Sequence, residues 1–118
     1  MKDLAPHITR QRLIIEGFYT IDVDEKVIEK FYSKLTSSLG LRTYGKLAIH
    51  SPSGTGKDIN QGYDCFQPLI DSGIYLGVWA SERFMSCVIY TCKRFDADKA
   101  VRVVKDFWKI DEIASMGF

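Results

Sequence analysis

Residues 84–92, FMSCVIYTC, constrain the fold more than any other part of the chain. Read as a strand, one face carries Phe84, Ser86, Val88, Tyr90 and Cys92, and the other carries Met85, Cys87, Ile89 and Thr91, because successive side chains point to opposite faces. Both faces are mostly apolar, so this strand belongs inside a sheet, with neighbours on both edges and cover on both sides. At 118 residues the chain is long enough for one domain, 1–118, and too short for two of ordinary size. The cover must therefore come from few elements.

Two helices are available. Asp22 and Asp24 offer N-caps for a helix over 25–39, where Val27, Ile28, Phe31, Leu35 and Leu39 keep helical spacing and Glu25, Lys26, Glu29, Lys30 and Lys34 face water. Gly40 ends it, since glycine takes a positive φ without a Cβ clash. Asp96 or Asp98 caps a second helix through about 109, burying Ala97, Ala100, Val101, Val104, Phe107 and Trp108. β-branched and aromatic runs predict further strands over 12–21, 42–50, 63–70 and 74–79, with Ser81-Glu82-Arg83 near the last turn and a short edge strand in 110–118. Residues 51–62, SPSGTGKDINQG, read as an exposed, mobile loop.

The order β-α-β-β-β-β-α-β predicts an α+β fold, a two-layer sandwich of a mainly antiparallel sheet with both helices on one face. The opposite face then carries apolar side chains with no helix over it. A second copy packing face to face supplies that cover, so the sequence predicts a homodimer.

Charge narrows the partners. Sixteen Lys and Arg stand against fifteen Asp and Glu, and the basic residues are dispersed along the chain, which removes the electrostatic case for a nucleic-acid partner. No apolar run approaches the ~20 residues that span a bilayer, and the start, MKDLAPHITRQR, lacks the apolar block of a signal peptide. No membrane association is expected. Cys65, Cys87 and Cys92 show no C-x-x-C spacing, which fits a reducing, cytoplasmic compartment. His7 and His50, the only histidines, have no carboxylates at ligand spacing, so no metal site is predicted. The run SPSGTGKD departs from a phosphate-binding loop at Ser51 and Asp58, and it joins two strands instead of feeding a helix.

Between residues 71 and 100 the chain presents Asp71-Ser72, then Trp79, then Tyr90-Thr91-Cys92, then Asp96-Ala97-Asp98-Lys99-Ala100. In these residues and their gapless spacing it resembles the prokaryotic, pyruvoyl-dependent S-adenosylmethionine decarboxylases, as a divergent homologue. The resemblance implies a dimeric two-layer α/β protein whose precursor cleaves itself at a Glu-Ser bond. The serine becomes a pyruvoyl group that serves as electron sink. Ser72 would stand for that serine, Asp71 for the glutamate before it, Trp79 for the tryptophan of a His-Thr-Trp-Pro-Glu run, and Cys92 for the proton donor.

The departures fall on the chemistry. Gly73 replaces the histidine of Glu-Ser-His, and Gly77 replaces the histidine that assists self-cleavage. Asp64 occupies the place of a second serine that helps processing. Ala80-Ser81 replaces Pro-Glu, with Glu82 one residue away, and His50 precedes Ser51-Pro52 where the family has an adenine-stacking aromatic. A loop including 53–61 is inserted before the serine strand.

The sequence thus predicts an S-adenosylmethionine decarboxylase-related protein, unprocessed and non-catalytic, that binds a small S-adenosylmethionine-like ligand or a protein partner. The alternative is an active pyruvoyl-dependent carboxy-lyase acting on S-adenosylmethionine or another amino acid in polyamine biosynthesis, with pyruvoyl made from Ser72 only if the chain processes itself and no cofactor otherwise. The catalytic set would be Ser72, Cys92, Asp71 and Asp64, and the ligand-binding set His50, Trp79 and Glu82. A structural dimer with no ligand is the third reading. Beside these stand plainer expectations: Asp71-Ser72-Gly73 as a hairpin turn, and all three cysteines as small packing residues, Cys92 buried among them. The pair Glu82 and Arg83 meets either a ligand's polar groups or only solvent.

Overall fold

In the computed structural model, which describes residues 1–118, the elements follow as β1 (Gln11–Phe18), α1 (Glu25–Leu39), β2 (Ala48–His50), β3 (Gly62–Leu69), β4 (Ser72–Trp79), β5 (Phe84–Thr91), α2 (Ala97–Trp108) and β6 (Ile113–Gly117). One turn of 3-10 helix at Asp58–Asn60 interrupts the long loop. The strands form one six-stranded sheet in the order β2-β3-β4-β5-β1-β6, with every pair antiparallel. β5 is interior, between β4 and β1, as its two apolar faces require. No helix is long and apolar enough to cross a membrane.

Both helices start and stop where local chemistry dictates. The Asp24 carboxylate accepts from the Val27 N–H at 2.9 Å, and Gly40 closes α1 at φ 64°. For α2 the cap is Asp96, whose carboxylate accepts from the Lys99 N–H at 3.0 Å, so Asp98 lies inside the first turn. Lys93 Nζ donates to the Gly40 carbonyl, and the Phe31 and Phe107 rings meet at 5.4 Å, so the helices run antiparallel. Both pack on one sheet face. There Met85, Cys87, Ile89 and Thr91 of β5 are wholly buried together with Ile74 and Leu76 of β4 and Ile15 of β1. The Tyr32 hydroxyl donates to the Ile74 carbonyl at 3.1 Å and ties α1 to β4. Trp108, also wholly buried, stacks edge-on to Phe31 at 5.2 Å and lies 5.4 Å from Tyr19.

Three expectations need correction. β1 ends at Phe18, short of 21, because the Tyr19 N–H turns to the Arg83 carbonyl. The strand expected over 42–50 shrinks to Ala48–His50, with an isolated bridge from Thr43 to Leu69. Gly45 bends the chain at φ 71°, and its neighbour Pro68 has no N–H to continue a ladder. The hairpin turn is Ile70-Asp71, since Ser72 already pairs with Leu69 inside the sheet. The 51–62 loop is tied together by one side chain: Gln61 accepts from the Gly54 N–H and donates to the Thr55 carbonyl, both at 2.8 Å.

Replacing Trp108 with alanine should cost ~3–5 kcal/mol of stability in denaturant titration, the range for emptying a buried aromatic site. Trp108→Phe should cost less, because the indole Nε1 has no hydrogen-bond partner to lose.

Candidate functional site

On the sheet face away from the helices, the antiparallel register lines side chains into rows. One row is polar: His50, Asp64, Gly77, Ser86 and Glu16, each beside the next on neighbouring strands. The adjacent row is apolar: Ala48, Phe66, Tyr75, Val88, Ile14 and Met116. One end of the face carries Trp79, Phe84 and Phe18, and the other carries Pro68, Gly73, Tyr90 and Arg12.

β4 alternates glycine with aromatic on this face: Gly73, Tyr75, Gly77, Trp79. The glycines are not open hollows. A Cβ at Gly77 would stand 2.8 Å from the Tyr75 hydroxyl and 2.9 Å from the Trp79 ring, and one at Gly73 would overlap the Phe66 ring. Cross-strand and same-strand aromatics therefore lie over both positions, a packing that shields the bare backbone of a glycine in a sheet.

The Tyr75 hydroxyl donates to Asp64 Oδ1 at 2.9 Å. Burial, then the hydrogen bond to Asp64 and that carboxylate's charge, push the Tyr75 phenol up to about 12. Its neighbour on the grid, Ser86, is almost fully buried although no helix covers it. Neither Tyr75 nor Phe66 was singled out from sequence, although the glycine–aromatic alternation of β4 is a signal that could have found Tyr75.

At the far end of β4, Ser72 has φ 148°, a region that residues with a Cβ adopt only under strain. The Cys92 N–H donates to the Asp71 carbonyl at 2.6 Å, and the Ser72 hydroxyl lies 3.5 Å from the Cys92 thiol. Cys92 is exposed, contrary to the buried reading, because it sits just past the end of β5 where the sheet stops. Cys65 and Cys87 are buried as expected, and burial pushes both thiols up to about 12, so they stay protonated at neutral pH.

The seven site residues thus fall into three groups. Asp71, Ser72 and Cys92 meet at one end, and Asp64 and His50 stand side by side in the polar row. Asp64 is five positions along β3 from Leu69, the partner of Ser72, or about 16 Å at ~3.3 Å per residue. The third group is Trp79 and Glu82, which line a shallow hollow of ≈ 330 Å³ with Phe18, Ile59 and Phe84. There the Trp79 Nε1–H donates to Asn60 Oδ1 at 3.2 Å, and its ring lies 5.4 Å from Phe84. Arg83 is committed to the fold, donating to the Ile21 carbonyl at 2.7 Å and lying over the Tyr19 ring, so Glu82 faces the hollow without it. No three His, Cys, Asp or Glu side chains converge as a metal site would require.

No family model matches this sequence, and no curated protein is similar to it. Among solved structures, the adenosylmethionine decarboxylase from Aquifex aeolicus VF5 is similar with a TM-score of 0.71 and 14% identity, over 94% of this chain and 89% of that one. At that identity the likeness establishes architecture: the chain has the α+β two-layer fold of that enzyme.

Tyrosinate difference titration checks the polar row. The raised phenol means the folded state holds the Tyr75 proton more tightly. Its contribution to stability is therefore intact below pH 10.0 and lost as pH rises through about 12. A transition near pH 12 should vanish in Tyr75→Phe and move toward the ordinary tyrosine range in Asp64→Asn.

Proposed function

We propose that this chain is a divergent relative of adenosylmethionine decarboxylase that has kept the fold but not the decarboxylation. In this reading it stays unprocessed, pairs with a second copy through the open sheet face, and binds a small S-adenosylmethionine-like molecule there. Its three cysteines are free, which suits a reducing, cytoplasmic setting.

The observation that carries this reading is the packing over Gly73 and Gly77. Where the sequence resemblance expects histidines, aromatic rings and a hydroxyl already fill the space. Proton transfer by a positioned side chain is typically worth ~10²–10⁴ in rate, and here no side chain can enter at 77 without displacing Tyr75 and Trp79. A pyruvoyl group made from Ser72 does not fit these surroundings, for Gly73 and Gly77 leave no histidine on β4 to drive the elimination, and the Ser72 hydroxyl has only the Cys92 thiol as its side-chain neighbour.

Dimerisation is supported by what the open face exposes. Phe18, Phe66, Tyr90 and Met116 are each at least 39% exposed, and all four lie on that one face. Asp64 lies about 16 Å along the β3–β4 pair from the Ser72–Cys92 cluster, so one chain does not bring them together. For the ligand, Trp79 and Phe84 offer a ring platform, and the Glu82 carboxylate accepts from hydroxyls or meets a cation.

The second reading is an active pyruvoyl-dependent decarboxylase, and one specific observation favours it. Ser72 is strained at φ 148°, and the Asp71 carbonyl beside it is polarised by the Cys92 N–H at 2.6 Å. The two readings diverge at one peptide bond.

Sedimentation and calorimetry test the preferred reading. The chain should sediment as a dimer, bind S-adenosylmethionine without releasing carbon dioxide, and lose at least tenfold in affinity in Trp79→Ala. A monomer that gives no heat with S-adenosylmethionine, or turnover of it, would overturn this reading.

A further inference from the structure

Four of the basic residues, dispersed in sequence, gather in space. Lys30 and Lys34 of α1 and Lys99 and Arg102 of α2 converge on one groove of ≈ 680 Å³ between the two helices, on the side of the molecule opposite the open sheet face. The chain's two ion pairs are Arg10–Asp3 and Arg83–Asp22, so none of these four cations is held in an ion pair, and the one carboxylate in the groove, Asp106, leaves it net positive. Because Lys30 and Lys34 are four apart on one helix, they repel each other. A chain of net charge +1 that gathers four unpaired cations in one groove carries a local cost that a bound anion would relieve.

The antiparallel arrangement sorts the lining along the groove. The end of α1 meets the start of α2, which places Lys34, Ser38, Lys99 and Arg102 together at one end. Phe107 lies beside Phe31 toward the other end, where Asp106 supplies the groove's single carboxylate. Val103 and the half-buried Phe107 form an apolar floor between them. From Lys30 to Ser38 the groove runs about 12 Å at ~1.5 Å per residue. That length and volume match a small ligand and fall short of the several turns that a docked helix occupies.

We propose that this groove binds a phosphorylated, ring-bearing small molecule of nucleotide size, with its phosphates among Lys34, Lys99 and Arg102 and its ring on Phe107. The guanidinium and ammonium groups supply charge-assisted hydrogen bonds to phosphate oxygens, Ser38 supplies a hydroxyl donor, and the aromatic floor supplies the stacking surface. The site lies on the other side of the sheet from the Trp79 hollow and goes beyond the function proposed above.

Calorimetry of the full chain at low salt, with ATP and inorganic tripolyphosphate as probes, tests it. ATP should bind at least tenfold more tightly than tripolyphosphate, and both should lose at least tenfold in K34Q/R102Q, a surface double variant whose fold is checked by circular dichroism. S-adenosylmethionine should not displace ATP. Four outcomes would overturn the proposal: no binding of ATP; binding unchanged in K34Q/R102Q; equal affinity for both probes, which marks a charge-only surface; or displacement of ATP by S-adenosylmethionine, which would put the ATP on the open sheet face. A polyglutamate peptide that binds where ATP does not would also overturn it, in favour of an acidic protein partner.

Discussion

Everything in this molecule depends on a central strand that is apolar on both faces while the chain supplies helices for only one. Met85, Cys87, Ile89 and Thr91 of β5 are sealed under α1 and α2. Burying such side chains at roughly 25 cal/mol per Å² of apolar area drives the fold, and Trp108 and Phe31 complete that layer. The same strand turns Phe84, Val88 and Tyr90 to the other side, where nothing in the chain covers them. The sheet therefore has a finished face and an unfinished one, and the functional question belongs to the unfinished one.

β4 shows how that face differs from a catalytic pocket. A pocket needs space beside its reacting groups, whereas Phe66, Tyr75 and Trp79 occupy the space that Gly73 and Gly77 leave. The Tyr75–Asp64 bond fixes the tyrosine across the glycine instead of leaving the carboxylate free for proton transfer. Ser72 stands apart from this closure. It is strained, next to a polarised carbonyl and within reach of an exposed thiol. β4 thus joins one end that retains the local geometry of a reactive serine to an open-face centre that is packed shut.

What could be read from sequence was what short-range chemistry decides. The Asp24 cap, the Gly40 stop, the buried stripe of α1 and the interior position of β5 follow from spacing and side-chain type. Whatever depends on which elements meet in space stayed hidden. β2 loses most of its length to a bend at Gly45 beside Pro68, and Cys92 is exposed because the sheet ends at Thr91. The cover on Gly77 comes from side chains on the same strand, so the alternation was legible, but its meaning needed the fold. Likewise Lys30, Lys34, Lys99 and Arg102 become one groove only when two helices far apart in the chain lie side by side.

An unprocessed chain keeps the Asp71–Ser72 bond whole. Intact-mass spectrometry of the purified chain reads that bond directly. A single full-length species of about 13.5 kDa is the predicted result. Two fragments, one ending at Asp71 and the other beginning at position 72 with a ketone that cyanoborohydride and an amine can trap, would contradict it.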